Sequence, residues 1–171
     1  MENIKRERCD EFIARDILNK YCTLGHFEKL ESPDLQSEDY GIDVTHGCGR
    51  KYDIQENVTK PKIFKENPNC IITEPSIEIN TETFEKELVH VLNAIDRKKY
   101  MRYGFKENGL YIFSRLPCDE RWLQAACDKI SKAANKIYDK IIVHCRTDAK
   151  LLIIDVNNKH FEIINLTSGN R

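Results

Sequence analysis

Two acidic residues, Asp34 and Asp43, lie nine positions apart in the stretch ESPDLQSEDYGIDVTH, which covers residues 31–46. Asp34 follows a proline, and Asp43 lies in a short apolar run after the turn-like segment QSEDYG. A turn between two short strands predicts a hairpin, in which cross-strand neighbours lie about 5 Å apart. Two carboxylates placed in this way can meet at one edge of a sheet and hold a divalent metal ion.

Hydrolysis of a phosphodiester bond is a reaction that such a pair can serve. Mg²⁺ takes oxygen ligands in near-octahedral geometry, usually one or two carboxylates together with water and phosphate. The metal activates the attacking water and stabilises the charge that develops at phosphorus. A third carboxylate from an adjacent helix would complete the set. Glu11 in the first predicted helix is the natural candidate, and Glu7 competes for the role.

Each of these acidic residues also has an ordinary structural interpretation. An aspartate after proline commonly organises a turn by accepting hydrogen bonds from nearby backbone N–H groups. Asp43 alternates with Ile42 and Val44, so its side chain can face solvent on a strand with one buried side. Glu11 lies on a charged helix that offers a solvated face. The structural interpretation is favoured for each residue alone, and the metal site gains its support from the three together.

The bulk composition is that of one globular domain. The chain has 171 residues, of which 40% are hydrophobic and 32% charged, and its formal net charge is −1. This length is sufficient to bury a core without disulfides, so we treat 1–171 as a single domain. The nearly neutral net charge argues against binding nucleic acid through overall positive charge. It is compatible with an enzyme that concentrates positive charge around one cleft.

The cysteine pattern indicates free thiols rather than a disulfide framework. The chain has seven cysteines, an odd number, and no CxxC pair. We expect a cytoplasmic protein without a membrane-spanning helix, because the first residues have no signal-peptide core and no stretch has about 20 apolar residues. Cys118, Cys127 and Cys145 are expected in the core. His46 and Cys48, together with Cys70 across the insertion, are zinc-ligand types, but zinc is disfavoured because structural sites usually show paired ligands.

Hydrophobic periodicity predicts the elements that position these residues. An amphipathic helix is predicted over residues 3–21, followed by short strands in HFEKLE, around PDLQ and in YGIDVTH. Residues 47–80 have no long periodic run, which indicates an irregular insertion with one short strand near CIITE. A long helix capped by Thr81, a strand at 108–114, a helix at 119–134 and two or three buried strands follow. This order is typical of a layered α/β or α+β domain with a central mixed sheet.

The N-terminal part of this sequence resembles the core of the PD-(D/E)XK nuclease superfamily. The resemblance rests on a helix with a glutamate, the Pro33-Asp34 pair, a turn and the GIDVT strand. The resemblance covers residues 5–46 by motif and the rest of the chain only by element order. It implies a restriction-endonuclease-like α/β fold, with an α-β-β-β-α-β core and a central mixed β-sheet flanked by helices. It also implies that Asp34 and Asp43 bind Mg²⁺ or Mn²⁺, with Glu11 in support.

The chain departs from the family motif two residues after Asp43. The family has a lysine there, which contacts the scissile phosphate or the attacking water, whereas this chain has Thr45. A threonine hydroxyl supplies no fixed positive charge to offset the charge of the transition state. In related members a basic residue can come from another element. Lys99, in line with the apolar face of the long helix, is the best substitute here, ahead of Lys51 and Lys98.

Two functions therefore remain open. The first is a Mg²⁺-dependent nuclease that acts on DNA or RNA, for which the resemblance also implies a homodimer. The second is a catalytically inactive nuclease-fold module that binds a protein partner through the 47–80 insertion. In the enzyme, Asp34 and Asp43 should converge with a basic group close by. In the binding module they should diverge, or pair with neighbouring backbone and basic side chains.

Overall fold

The computed structural model describes residues 9–49, 78–99 and 104–166. The elements in chain order are α1 (Cys9–Tyr21), β1 (Glu28–Lys29), β2 (Leu35–Gln36), β3 (Tyr40–Gly47), α2 (Thr81–Lys98), β4 (Glu107–Ser114), α3 (Glu120–Ala134), β5 (Lys140–Cys145), β6 (Lys150–Asp155) and β7 (His160–Asn165). The strands form one seven-stranded sheet whose spatial order follows the sequence.

The sheet is mixed, with a parallel centre between two antiparallel flanks. β1, β2 and β3 form an antiparallel meander, β4 and β5 continue the sheet in parallel to β3, and β6 and β7 are antiparallel again. Parallel neighbours need a crossover connection; α2 lies between β3 and β4 in the chain, and α3 between β4 and β5. The prediction of an α/β domain with a central mixed sheet is confirmed at this level.

Each face of the sheet is covered by its own apolar layer. On one face, α2 and α3 direct residues such as Leu88 and Ile130 against Ile112 of β4. On the other face, α1 directs Ile17 against Val44 of β3. Each large side chain that is fully buried in this way contributes about 1.5–3 kcal/mol relative to exposure. The sheet is therefore the middle layer of three, and the side chains of each strand alternate between the two helical layers.

Helix α1 is tied to a segment far away in the sequence. Ile13 and Leu18 pack in the same apolar cluster as Leu151 and Leu166. The hydroxyl of Tyr21 donates a hydrogen bond to the backbone carbonyl of Leu166 at 3.0 Å. The first helix is thus held in place by strands that come last in the described chain.

Most of the predicted elements occur where the sequence placed them, and three details differ. Cys118, expected in the core with Cys127 and Cys145, is only partly buried. The N-cap of α2 is Asn80, not Thr81, because the Asn80 side chain accepts the backbone N–H of Thr83 at 2.8 Å. The strand β7 is largely exposed rather than buried, since it lies at the edge of the described sheet and Ile163 is 40% exposed. Residues 50–77 of the insertion, with the CIITE segment, lie outside the described residues.

Among the described residues, no helix combines the length and the apolar character needed to cross a membrane.

Candidate acidic site beside the β2–β3 hairpin

Asp34 and Asp43 face each other across the hairpin that β2 and β3 form. Leu35 pairs with Ile42 in this antiparallel ladder, so the next pair, one step beyond the end of β2, is Asp34 with Asp43. The backbone N–H of Asp34 donates to Oδ1 of Asp43 at a distance of 3.4 Å. The structure therefore brings the two acidic residues together where the short strand β2 ends.

The carboxylate of Asp34 also has a structural role. Its Oδ2 accepts a hydrogen bond from the backbone N–H of Val44 at 2.8 Å. This N–H points to the side of β3 where β2 has already ended, and buried backbone donors are costly when they lack an acceptor. The side chain thus replaces the carbonyl that a longer β2 would supply. Oδ1, the other oxygen of Asp34, is the atom that a metal ion would have to bind.

Glu11 lies in α1, on the face of the sheet that this helix covers, and its contacts connect it with the hairpin. It lies in the first turn of α1, is 4% exposed, and forms an ion pair with the ammonium group of Lys29 on β1. Because β1 is the neighbour of β2 in the sheet, this ion pair places Glu11 close to the start of the hairpin. Sequence reasoning did not single out Lys29, which offsets the charge of the buried glutamate.

The pKa of Asp34 depends on burial and on the charges of the neighbouring side chains. Burial raises the pKa of the Asp34 carboxyl above its usual value, and the negative charges of Asp43 and Glu11 raise it further. The hydrogen bond from Val44 and the positive charge of Lys98 act in the opposite direction and lower this pKa. Two neighbouring carboxylates therefore act on Asp34, and a cation bound beside it would relieve this repulsion.

Thr45, which stands where the resemblance implies a lysine, lies on the α2 side of the sheet. Ile42 and Val44 belong to the apolar layer under α1, so the side chains of Asp43 and Thr45, which alternate with them, point toward the opposite face. Thr45 is buried there, at 8% exposed. Lys98 is the last residue of the helix that covers this face, and it is the cation that acts on Asp34. The helix end can thus supply the charge that Thr45 does not.

The other lysines considered from the sequence have different positions. Lys99 follows the end of α2, and its Nζ forms an ion pair with Oδ1 of Asp96 at 2.9 Å. Lys51 lies outside the described residues, as does Glu7. Lys98 is therefore the lysine whose charge acts on the pKa of Asp34, whereas Lys99 pairs with Asp96.

The donor set at this position fits a hard divalent cation. Within residues 9–49, 78–99 and 104–166, no three His, Cys, Asp or Glu side chains converge as ready-made metal ligands. Mg²⁺ needs fewer protein ligands than that, since it is usually bound by one or two carboxylates and completes its shell with water and substrate phosphate. Asp34 and Asp43 satisfy this requirement by residue type, and the charge repulsion at Asp34 favours cation binding.

The zinc ligands considered from the sequence are engaged differently. Nε2 of His46 lies 2.9 Å from Oδ2 of Asp10 in α1, which sequence reasoning missed although Asp10 adjoins Glu11. The Sγ atom of Cys48 lies 4.0 Å from Nη2 of Arg146, a cationic neighbour that disfavours a metal ion. Cys70 lies outside the described residues. Nothing in the described chain supports a zinc site at His46 and Cys48.

A groove between α1 and the β1 segment includes Lys29, the ion-pair partner of Glu11, in its lining. Basic side chains that line it include Arg15, His26 and Lys29, and Asp16 and Glu28 line it as well. The Arg15 guanidinium lies over the ring of Phe12, 5.1 Å from its centre. Lysine and arginine side chains in such a position can contact backbone phosphates.

Replacing Asp34 with asparagine should stabilise the protein at neutral pH. A carboxyl whose folded pKa is raised binds protons more readily in the folded state, so it destabilises the fold increasingly as pH rises from the unfolded value through the raised one. Asparagine keeps an oxygen for Val44 and removes the charge. We expect the Tm at pH 7 to rise by a few degrees, and the difference from wild type to vanish near pH 3.5.

The matched control is Asp39→Asn, which removes a half-exposed acid from the turn of the same hairpin, 3.9 Å from Lys106. This variant should not gain stability at neutral pH. An Asp34→Asn protein that is less stable than wild type at both pH values would show that the Val44 bond, not charge repulsion, dominates at this position.

No protein-family model matches this chain, and no curated protein or solved structure was found that matches it.

Proposed function

We propose that this chain is a Mg²⁺- or Mn²⁺-dependent nuclease of the PD-(D/E)XK kind, which hydrolyses phosphodiester bonds of DNA or RNA. The observation that carries the proposal is the meeting of Asp34 and Asp43 across the β2–β3 hairpin, with the charges of Glu11 and Lys98 acting on Asp34. A pair of like charges held together at a strand end is costly for folding alone, and a role in cation binding accounts for it.

The order and direction of the elements support the finer fold assignment. An amphipathic helix, a three-stranded antiparallel meander, a second helix and a strand parallel to β3 follow one another in the described chain. This is the α-β-β-β-α-β order that the resemblance to the nuclease superfamily implies. The motif-bearing strands also form the hairpin that the family uses.

Each residue of the proposed site has a distinct role. Asp34 and Asp43 would hold the ion, and Glu11 would add negative charge from α1. An ion held there would activate the attacking water and offset charge on the phosphate. Lys98 provides positive charge on the face of β3 where the family has its motif lysine, and it would offset the charge that accumulates on the phosphate oxygens. The groove lined by Arg15 and Lys29 would take the phosphate backbone of the substrate.

Calorimetric titration of Mg²⁺ and Mn²⁺ tests the proposal most directly. We expect wild-type protein to give heat of binding that disappears in both Asp34→Ala and Asp43→Ala and persists in the control Asp39→Asn. The same proteins would then be assayed for cleavage of single-stranded DNA, duplex DNA and RNA. Absence of metal binding by the folded wild type, with each nucleic acid present, would overturn the nuclease proposal.

A second function, that of a catalytically inactive protein-binding module, is favoured by two observations at the same site. The position of the motif lysine holds a buried threonine, and the Asp34 carboxylate is already bonded to the backbone of β3. Both are expected if the fold is kept as a catalytically inactive module that binds a protein partner through the 47–80 insertion. A silent metal titration would direct the search to such a partner.

Lys98 and Lys99 offer a matched pair of variants. Replacing Lys98 with methionine, which keeps most of the aliphatic side chain, should lower metal-dependent cleavage by about 10²-fold. It should also move the acidic limb of the pH–rate profile to higher pH, because the charge that lowers the pKa of Asp34 is lost. Lys99→Met breaks the partly exposed ion pair with Asp96, so its cleavage rate should stay near that of wild type. The reverse ranking would assign the role to Lys99.

A further inference from the structure

His46, near the end of β3, contacts the two helices that contribute charge to the acidic site. Its side chain points toward α1, on the same side of the sheet as Val44 two residues earlier. Its backbone carbonyl accepts a hydrogen bond from Nη2 of Arg97, in the last turn of α2, at 2.7 Å. One residue of the central sheet is therefore joined to a helix on each face.

The side-chain contact of His46 fixes the first turn of α1. Nε2 of His46 lies 2.9 Å from Oδ2 of Asp10, and an ionised carboxylate only accepts hydrogen bonds, so Nε2 is the donor. Oδ1 of the same carboxylate accepts the backbone N–H of Glu11 at 2.9 Å. Asp10 is buried, and hydrogen bonds to an ionised group are roughly twice as strong as those between neutral groups. The carboxylate of Asp10 thus connects His46 with the backbone of Glu11.

The imidazole ring of His46 is held in its orientation by β4. It stacks on the ring of Phe113, with 5.2 Å between the ring centres and an angle of 19° between the ring planes. Phe113 is the neighbour of His46 in the parallel ladder of β3 and β4, and its side chain is buried. A side chain that is locked by packing in this way can orient the groups bonded to it.

The carbonyl contact of His46 acts on the end of α2 in a similar way. Its donor is a guanidinium, which forms a charge-assisted hydrogen bond and so holds the last helical turn against β3. Arg97 directly precedes Lys98 in the chain, just as Asp10 directly precedes Glu11. In both helices, the residue that contacts His46 is therefore adjacent to a charged residue of the proposed site.

We propose that His46 is a positioning residue of the acidic site. Its imidazole holds Glu11 in place through the carboxylate of Asp10. Its carbonyl holds Lys98 in place through the guanidinium of Arg97. This inference rests on the proposed nuclease function for its effect on the rate, whereas the two contacts do not depend on that function. In this role His46 touches neither the metal ion nor the substrate.

Two substitutions of His46 separate its hydrogen bond from its bulk. Leucine has no hydrogen-bond donor, whereas the amide of glutamine can still donate to Asp10. Loss of a residue that orients the surroundings of a metal site typically costs about 10–100-fold in affinity or activity. We expect His46→Leu to lower Mn²⁺ affinity and kcat by roughly tenfold with little change in KM, and His46→Gln to recover most of both.

A double-mutant cycle with Glu11 tests the route of this effect. Glu11→Gln should lower Mn²⁺ affinity in the wild type and have little further effect in the His46→Leu background, because the two changes then remove the same contribution. Independent losses that multiply in the double variant would overturn the route through Asp10. Calorimetric titration of the full chain gives the four affinities.

His144→Leu is the matched control for loss of a packed histidine. The ring of His144 also packs against Phe113, with 5.2 Å between the ring centres, but its Nδ1 lies 3.0 Å from the hydroxyl of Tyr111 in β4 rather than near a helix. We expect this variant to lose stability while it keeps the Mn²⁺ affinity of the wild type. Equal losses of affinity in His144→Leu and His46→Leu would overturn the positioning role.

Hydrogen exchange of the metal-free chain measures the two contacts without reference to catalysis. His46→Leu should speed exchange in α1, whereas Arg97→Gln, a change at an exposed residue that is expected to fold, should speed exchange in the last turn of α2. A wild type that binds no metal but gives this pattern would overturn the nuclease function and retain His46 as the residue that holds both helices. A wild type that binds Mn²⁺, with unchanged exchange and affinity in His46→Leu, would overturn the positioning role alone.

Discussion

Replacing Asp43 with asparagine should abolish metal-dependent cleavage and at the same time raise the thermal stability of the protein. Asparagine has nearly the same shape and keeps an oxygen that can accept the N–H of Asp34. Loss of one of two ligand carboxylates should lower the cleavage rate by about 10²-fold or more. Removal of a negative charge that acts on Asp34 should raise the Tm at pH 7 by a few degrees.

The opposite directions of the two effects make this prediction informative. Cleavage would be followed with a labelled oligonucleotide at several Mn²⁺ concentrations, and stability by thermal unfolding with and without the metal. Added Mn²⁺ should stabilise wild type and not the variant, since a ligand stabilises only the state that binds it. Asp39→Asn serves as the control for loss of one charge from the same hairpin. Retained cleavage in Asp43→Asn would exclude Asp43 as a metal ligand.

Replacing Gly41 with alanine should disturb both the fold and the acidic site. A Cβ atom at Gly41 would lie 2.5 Å from Cδ2 of Phe105 and 2.9 Å from Cγ of Pro33, and both distances are too short for contact. Overpacking of this kind costs about 1–3 kcal/mol. Since Pro33 precedes Asp34 directly, its displacement should also move the carboxylate, and a shift of about 1 Å lowers a rate by roughly 10²-fold.

Urea denaturation and metal titration of the same Gly41→Ala preparation would measure the two effects separately. Gly104→Ala is the matched control, because a Cβ at Gly104 would meet no heavy atom within 4 Å. The control should match wild type in the midpoint of unfolding and in metal binding. A Gly41→Ala protein with wild-type stability and metal binding would show that Phe105 and Pro33 adjust without moving Asp34.

The hairpin and the helical periodicity were the parts of the structure that could be predicted from the sequence. Strand alternation and the QSEDYG turn determine the register of β2 with β3, and this register places Asp34 opposite Asp43. Apolar residues at helical spacing likewise predicted α2 and α3 to within a few residues, as well as the end of α1 at Tyr21; the predicted start of α1 lies outside the described residues. These features depend on local periodicity, which a single sequence contains.

The identity of the lysine near Asp34 could not be predicted in the same way. Lys98 and Lys99 are adjacent, and neighbouring helical residues point about 100° apart. The choice between them depends on how α2 is rotated over the sheet, which is set by the packing of residues such as Val91 and Ile95. The ion pair between Glu11 and Lys29 was missed for a similar reason, because it joins two elements whose contact only the folded sheet defines.

The exposure of β7 shows a further limit of pattern reasoning. Its apolar residues predicted a buried strand. Burial depends on the place of a strand in the sheet as well as on its residues, and β7 lies at the edge of the described sheet. The bond between Asp34 and the N–H of Val44 was anticipated only as a type, namely an aspartate that organises a turn. Its partner became evident once the end of β2 was known.

The contact between α1 and the last strands has a consequence for the order of events during synthesis. The apolar face of α1 rests on Leu151 and Leu166, and Tyr21 bonds to Leu166 across most of the chain. The same face of α1 also packs against Val44 of β3, so the late residues complete its docking surface rather than form it alone. A nascent or truncated chain that lacks β6 and β7 is therefore expected to hold α1, and with it Glu11, less firmly beside Asp34 and Asp43.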